Sequence, residues 1–225
     1  MTYELRTYPD REMLAMDLAN LIAGELRAAL GHRERAALAV PGGTSPGPVF
    51  DTLCAADLDW SRVDVLLTDE RWVPESSERS NTALLRRRLL TDRAAAARYL
   101  PLYADAETPE EKLGELAEAI APSLPLAVAL LGMGEDMHTA SIFPGADKLA
   151  EALAPDAPIL LPMRAPGAPE PRITLSAHVL DGAMAKHVVI YGAAKLEVLK
   201  ALRGKPPSEA PVNAILGDAV VHWAQ

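Results

Sequence analysis

Apolar residues recur along this chain in two alternating rhythms. Between Asp10 and Gly31, the positions Met13, Leu14, Leu18, Leu21, Ile22 and Leu26 repeat at helical spacing. This predicts a helix capped by the Asp10 side chain and ending near Gly31. Short apolar runs predict strands at 35–40, 63–67, 126–131, 158–161, 172–175, 187–191 and 218–222, with helical patterns between most of them. Thr108-Pro109-Glu110-Glu111 is a capping box with proline at the first helical position. It opens a helix carrying Leu113, Leu116 and Ile120 on one face. Alternation of this kind predicts an α/β fold, a mostly parallel sheet with helices on both faces. No internal repeat is visible, and the proline-rich stretch 154–171 reads as an irregular excursion within a single domain, 1–225.

Composition narrows the class. A chain of 225 residues, 49% hydrophobic, can bury a sizeable core. No stretch reaches the roughly 20 apolar residues a membrane helix needs. The opening Met-Thr-Tyr-Glu-Leu-Arg lacks a signal pattern, so a cytoplasmic location is expected. The single cysteine, Cys54, follows Leu53 and reads as a buried helix residue rather than a nucleophile. A net charge of −9 argues against a nucleic-acid partner. It also requires that any anionic ligand be held by local cations against an unfavourable overall field.

Three strand-end segments carry chemistry. After the run 126–131 comes Gly132-Met-Gly-Glu-Asp-Met-His-Thr-Ala-Ser-Ile-Phe-Pro144, read as a glycine-rich turn leading into a short helix. Open α/β sheets place ligands at such strand ends. Asp136 and His138 stand there, and an imidazole suits proton transfer near neutral pH. After the run 35–40 comes Pro41-Gly42-Gly43-Thr44-Ser45-Pro46, where Gly42 and Gly43 allow close backbone approach and Thr44 and Ser45 offer hydroxyls. Beside a helix N-terminus this reads as a phosphate cradle, although no Walker A lysine follows. After the run 63–67 come Asp69, Glu70 and Arg71, with Ser80-Asn81 further on. There an arginine flanked by carboxylates is either a surface ion pair or a means of positioning a polar substrate.

Together, Pro-Gly-Gly-Thr-Ser-Pro, Thr-Asp-Glu-Arg-Trp-Val-Pro with Ser80-Asn81, and Leu-Leu-Gly-Met-Gly-Glu-Asp-Met-His-Thr-Ala-Ser-Ile-Phe-Pro resemble the signature set of the 6-phosphogluconolactonase family. Arg172-Ile-Thr-Leu-Ser176 and Gly192-Ala-Ala-Lys195 match in the same order, so the likeness spans nearly the whole chain. The resemblance implies a Rossmann-like fold of the sugar-phosphate isomerase/deaminase type. It implies hydrolysis of 6-phosphogluconolactone, a small sugar-phosphate substrate of the oxidative pentose phosphate pathway, with no cofactor or metal. The implied roles are His138 as general base and then acid, and Asp136 as its orienting acid. Asp69 and Arg71 would position hydroxyls or the carbonyl, with Arg71 stabilising the oxyanion. The substrate would be bound by Gly42, Gly43, Thr44, Ser45, Asn81, Arg172 and Lys195. Sequence leaves open whether Asp136 or Asp69 touches His138. One departure stands out: Met137 occupies a position where the family usually has glycine, and methionine does not reach positive φ freely. The expected assembly is a monomer or weak dimer.

The remaining polar residues read as structural. His178 and His187 flank a core segment, His32 ends a helix, Arg86-Arg87-Arg88 forms a solvated face, Trp72 packs under its loop, and His222 and Trp223 finish the last strand. Two rival functions share the fold. A hexosamine-phosphate deaminase or isomerase resembles Gly-His-Ile-Ala-Phe-Asn-Glu-Pro in the histidine loop, whose glutamate has no counterpart between Thr139 and Pro144. A non-catalytic sugar-phosphate sensor would normally carry a DNA-binding segment, and none is evident.

Overall fold

The computed structural model describes residues 3–225; Met1 and Thr2, part of the unpatterned N-terminus, lie outside the described residues. In chain order the strands are β1 (Glu4–Thr7), β2 (Ala36–Val40), β3 (Val63–Leu67), β4 (Asp69–Arg71), β5 (Arg98–Leu100), β6 (Val128–Gly132), β7 (Leu160–Met163), β8 (Arg172–Leu175), β9 (Ala185–Tyr191) and β10 (Val220–Ala224). The helices are α1 (Arg11–Leu30), α2 (Gly47–Leu53), α3 (Asn81–Arg88), α4 (Leu113–Ile120), α5 (Leu149–Ala152), α6 (Ala177–Asp181) and α7 (Gly192–Ala201).

Among the described residues, seven strands form one parallel sheet, ordered β1-β10-β9-β6-β2-β3-β5. Both β2 and β3 are buried at every position, as strands covered on two faces must be. Helix α1 packs Leu14, Leu18, Ile22 and Leu26, all fully buried, over this sheet, and Asp10 caps it by accepting from the Met13 N–H at 2.8 Å. Met13 itself departs from the expected apolar face, being half exposed at the first turn.

A second, antiparallel sheet, β4-β8-β7, was not expected. Thr68 is the hinge between the two. Its N–H continues the parallel ladder to Val40 O at 2.9 Å, and its carbonyl accepts from Leu175 N at 2.9 Å in the second sheet. The proline-rich stretch 154–171 therefore contains a strand, β7, two residues beyond the expected 158–161. Strand β10 is likewise shifted two residues from the expected 218–222, and β9 begins two residues earlier than expected.

Candidate active site

A cleft of about 360 Å³ opens where the C-terminal ends of β2, β6 and β9 meet the edge of the second sheet. Of the predicted site residues, Gly42, Gly43, Ser45, Asp69, Arg71, Asn81, His138, Arg172 and Lys195 line it. Two do not. Thr44 is exposed on the turn, and Asp136 stands beside His138 without reaching the cleft wall.

The loop after β6 sets the imidazole. His138 Nδ1 lies 2.5 Å from Asp136 Oδ1, and the His138 N–H donates to the same oxygen at 3.2 Å. An ionised carboxylate only accepts, so this contact puts the proton on Nδ1 and leaves Nε2 with its lone pair free. The His138 hydrogen bond holds the Asp136 carboxyl below its ordinary pKa, against the opposing effect of burial. Close approach explains Gly134: a Cβ there would fall 2.1 Å from His138 Nδ1 and 2.2 Å from Asp136 Oδ1. The Phe143 ring packs on the imidazole, with centroids 4.4 Å apart.

The short helix expected after this turn does not form. Met137 at φ 70° and Ala140 at φ 48° break any right-handed helix, and the chain runs in turns until α5. Met137 thus adopts the left-handed conformation despite its side chain. Its carbonyl accepts from Val212 N at 3.1 Å, which ties the loop down.

Asp69 does not touch His138. Its Oδ2 accepts from the Ser141 hydroxyl at 2.5 Å and its Oδ1 from Thr68 Oγ1 at 3.2 Å. Ser141 thereby joins the histidine loop to β4. Arg71 and Arg172 are directly opposite each other in the β4–β8 ladder, an unfavourable placement for like charges. Arg71 Nη1 donates to Arg79 O at 2.6 Å and to Asn81 Oδ1 at 3.3 Å, yet the Nε of both arginines is buried without a partner among the described residues. A buried unpaired donor costs about 1–3 kcal/mol. Two such donors beside a polar cleft are an invitation to acceptor oxygens. Burial pushes the Arg172 pKa down; Asp69 pulls it back and Arg71 adds to the depression.

Lys195, in the first turn of α7, donates to Met133 O at 2.7 Å and so reaches across to the loop after β6. Burial lowers its pKa, opposed by Glu135 and Asp136. Gly42 is required by Asn81, whose side chain would meet a Cβ there at 2.1 Å. Asn81 Nδ2 donates to Asp69 O at 3.1 Å, so β2, β4 and α3 meet at one amide.

Sequence reasoning overlooked three residues at this site. Phe143 backs the imidazole and Tyr191 lines the cleft at the end of β9. Glu70, by sequence one charge in the run Asp69-Glu70-Arg71, is fully buried. Tyr191, just before Gly192, is legible as a strand-end residue; nothing in the local pattern marks Phe143, in the loop between β6 and α5, or the buried Glu70. Among the residues read as structural, Trp72 is buried under its loop, donating to Ala106 O at 3.0 Å. Cys54 is buried at the end of α2. His178, read as a structural histidine flanking a core segment, is exposed in the first turn of α6, its Nδ1 3.1 Å from the Ser176 hydroxyl.

Residues 9–223 match the profile of the family described as glucosamine-6-phosphate isomerases/6-phosphogluconolactonase. The chain is 41% identical, over 100% of both sequences, to a 6-phosphogluconolactonase of Rhizobium meliloti. It is 44% identical to a 6-phosphogluconolactonase of Pseudomonas aeruginosa over 93% of this chain and 90% of that protein. The crystal structure of a 6-phosphogluconolactonase from Shewanella baltica superposes with a TM-score of 0.96 at 32% identity, covering 100% of this chain and 98% of that one.

Proposed function

The chain belongs to the glucosamine-6-phosphate isomerase/6-phosphogluconolactonase family, and we propose that it hydrolyses 6-phospho-D-glucono-1,5-lactone to 6-phosphogluconate, the lactone step of the oxidative pentose phosphate pathway. The observation that carries the mechanism is the His138–Asp136 pair, with Nε2 left as a base, set in one cleft with Arg71 and Arg172, whose Nε atoms have no partner among the described residues.

The substrate's phosphate is held by the Gly43–Ser45 loop, Arg172 and Lys195. This remote anchor places the lactone carbonyl near the imidazole and removes part of the entropic barrier. Asp69 and Asn81 fix the ring hydroxyls. His138 Nε2 takes a proton from water as the water oxygen bonds to C1. Charge moves onto the carbonyl oxygen, which Arg71 stabilises. The tetrahedral intermediate then collapses, the C1–ring-oxygen bond breaks, and His138 returns its proton to that oxygen. Asp136 holds the imidazole in its Nδ1–H form and favours the transient imidazolium. The whole chain, 1–225, acts as one catalytic unit.

The test is hydrolysis of freshly generated 6-phosphogluconolactone, read through a coupled dehydrogenase with spontaneous hydrolysis subtracted. His138→Ala should lower kcat by about 10²–10⁴-fold with KM little changed, since the base acts only in the transition state. Ammonia release from glucosamine 6-phosphate without lactone turnover would place the protein with the deaminases. Sugar-phosphate binding with neither reaction would make it a sensor. Normal turnover by His138→Ala would reject the mechanism.

A further inference from the structure

Glu70 is the middle residue of β4, so its side chain leaves the strand on the face opposite Asp69 and Arg71. It is fully buried, yet it is crowded with donors. Oε1 accepts from the Arg71 N–H at 2.7 Å and the Asn81 N–H at 2.9 Å. Oε2 accepts from the Thr82 N–H at 2.7 Å, the Thr82 hydroxyl at 2.8 Å and the Ser80 hydroxyl at 3.2 Å. Burial pushes the carboxyl pKa up, and the N–H groups of Asn81 and Thr82 pull it back.

A buried carboxylate is costly to keep, and capping alone does not account for it. Helix α3 already has a cap in Ser80, whose hydroxyl accepts from Ala83 N at 3.2 Å. What Glu70 adds is a clamp between the backbone of β4 and the first turn of α3. Both residues whose N–H groups Oε1 holds send side chains into the cleft, and those side chains bond to each other through Arg71 Nη1 and Asn81 Oδ1. A shift of β4 against α3 would therefore displace Arg71 relative to Asn81 and break the Asn81 bond to the carbonyl of Asp69.

We propose that Glu70 is a positioning residue for the lactone reaction, acting through Arg71 and Asn81, whose placement against the substrate it sets from behind the cleft wall. It never meets the substrate. The proposal rests on the lactonase reading of the cleft. Glu70→Gln keeps the shape but turns one acceptor oxygen into an amide NH2 that faces N–H donors. In the folded variant, kcat/KM for 6-phosphogluconolactone should fall by about tenfold to a hundredfold, the scale set by sub-ångström to ångström misplacement. A purely structural role would lower the unfolding midpoint and leave kinetics per folded molecule unchanged.

The deciding measurement is a double-mutant cycle with Asn81→Ala. Where Glu70 acts through Asn81, Glu70→Gln in the Asn81→Ala background should cost less than about threefold, because coupled residues are not additive. Wild-type kinetics in Glu70→Gln, or two losses that multiply independently, would overturn the proposal. Should Glu70→Gln not fold, Thr82→Val removes one hydroxyl donor and enters the same cycle. A smaller loss that vanishes in Asn81→Ala supports the proposal, and unchanged kinetics overturns it. Failure of wild-type protein to hydrolyse the lactone would reject the lactonase reading separately. The same cycle would then be read through the Kd of 6-phosphogluconate, where coupled losses support the clamp and independent ones reject it.

Discussion

At the scale of single residues, the cleft is built from groups held against their ordinary preferences. Arg71 and Arg172 face each other with buried, unpaired Nε atoms, Glu70 is ionisable and fully buried, and Met137 sits at φ 70°. Such concentrations of strain are typical of sites where structure serves chemistry. Met137 separates strain from function. The left-handed conformation costs an L-residue about 1–2 kcal/mol, while glycine there would add about 0.5–1 kcal/mol of unfolded-state entropy. Met137 also packs against the core, and glycine would lose that contact. Met137→Gly should therefore raise the unfolding free energy by no more than about 1 kcal/mol, with turnover unchanged. Urea unfolding and lactone kinetics check both. A clear loss of stability would mean that packing outweighs strain, and a changed KM would mean that the side chain shapes the cleft.

At the scale of elements, the two ends of the parallel sheet do different work. The C-terminal end opens into the cleft, while the other end is locked by Asp64 near the start of β3. Asp64 accepts from Arg35 at 2.6 and 2.8 Å, from Arg98 at 2.7 Å and from Ser123 at 2.9 Å, joining the beginnings of β2, β3 and β5 to the turn before β6. Burial pushes its pKa up, but Arg98, Arg35 and Ser123 prevail and hold it below the usual carboxylate range. The stability this supplies is complete above the ordinary carboxylate pKa and is lost as pH falls through the lowered folded value. Asp64→Asn should destabilise by about 2 kcal/mol, less than a fully buried pair because the arginines are partly exposed. It should also flatten the acid limb of the unfolding profile while kcat per folded molecule stays the same. The parallel strands were legible because buried strands read as unbroken apolar runs, as in Ala36–Val40 and Val63–Leu67. Strand β4 was not, because Asp-Glu-Arg has no apolar alternation and becomes a strand only by pairing with β8. Strands β1 and β5 escaped for a related reason: they are the edges of the sheet, short and partly exposed. The site was legible as three strand-end motifs. The assignment of Asp136 to His138 and of Asp69 to Ser141 was not, because it depends on how the loop folds back across β4.

At the scale of the whole molecule, the α1 side of the sheet carries a second set of titratable groups, joined in one line through the interior. Glu25 Oε2 meets His187 Nε2 at 2.8 Å, His187 Nδ1 meets His222 Nε2 at 3.0 Å, and His222 Nδ1 meets the Tyr8 hydroxyl at 2.8 Å. Tyr8 in turn donates to Asp17 at 2.8 Å. The line ties α1 to β9, β10 and the chain just after β1, across the part of the sheet where α1 packs. Burial, and then Asp17, push the Tyr8 phenol up to about 12, so it remains a donor at every working pH. Burial, reinforced by His187 and Arg6, pushes His222 down to about 3. A histidine kept neutral in the folded state and free to charge in the unfolded one makes folding depend on pH in a fixed direction. Its contribution is complete above the unfolded pKa near 6.5 and is lost as pH falls from there toward the folded value. This window lies above that of Asp64, so the two can be told apart. Urea unfolding from pH 7 to pH 4 should show wild-type stability falling by up to about 1.4 kcal/mol per pH unit more steeply than that of His222→Gln, the slope for one additional proton bound on unfolding. Gln keeps a donor and an acceptor at that position but cannot take up the proton. Parallel profiles for the two proteins would mean that His222 accepts a proton without unfolding the sheet, with the charge shared along the line to Glu25 and Asp17.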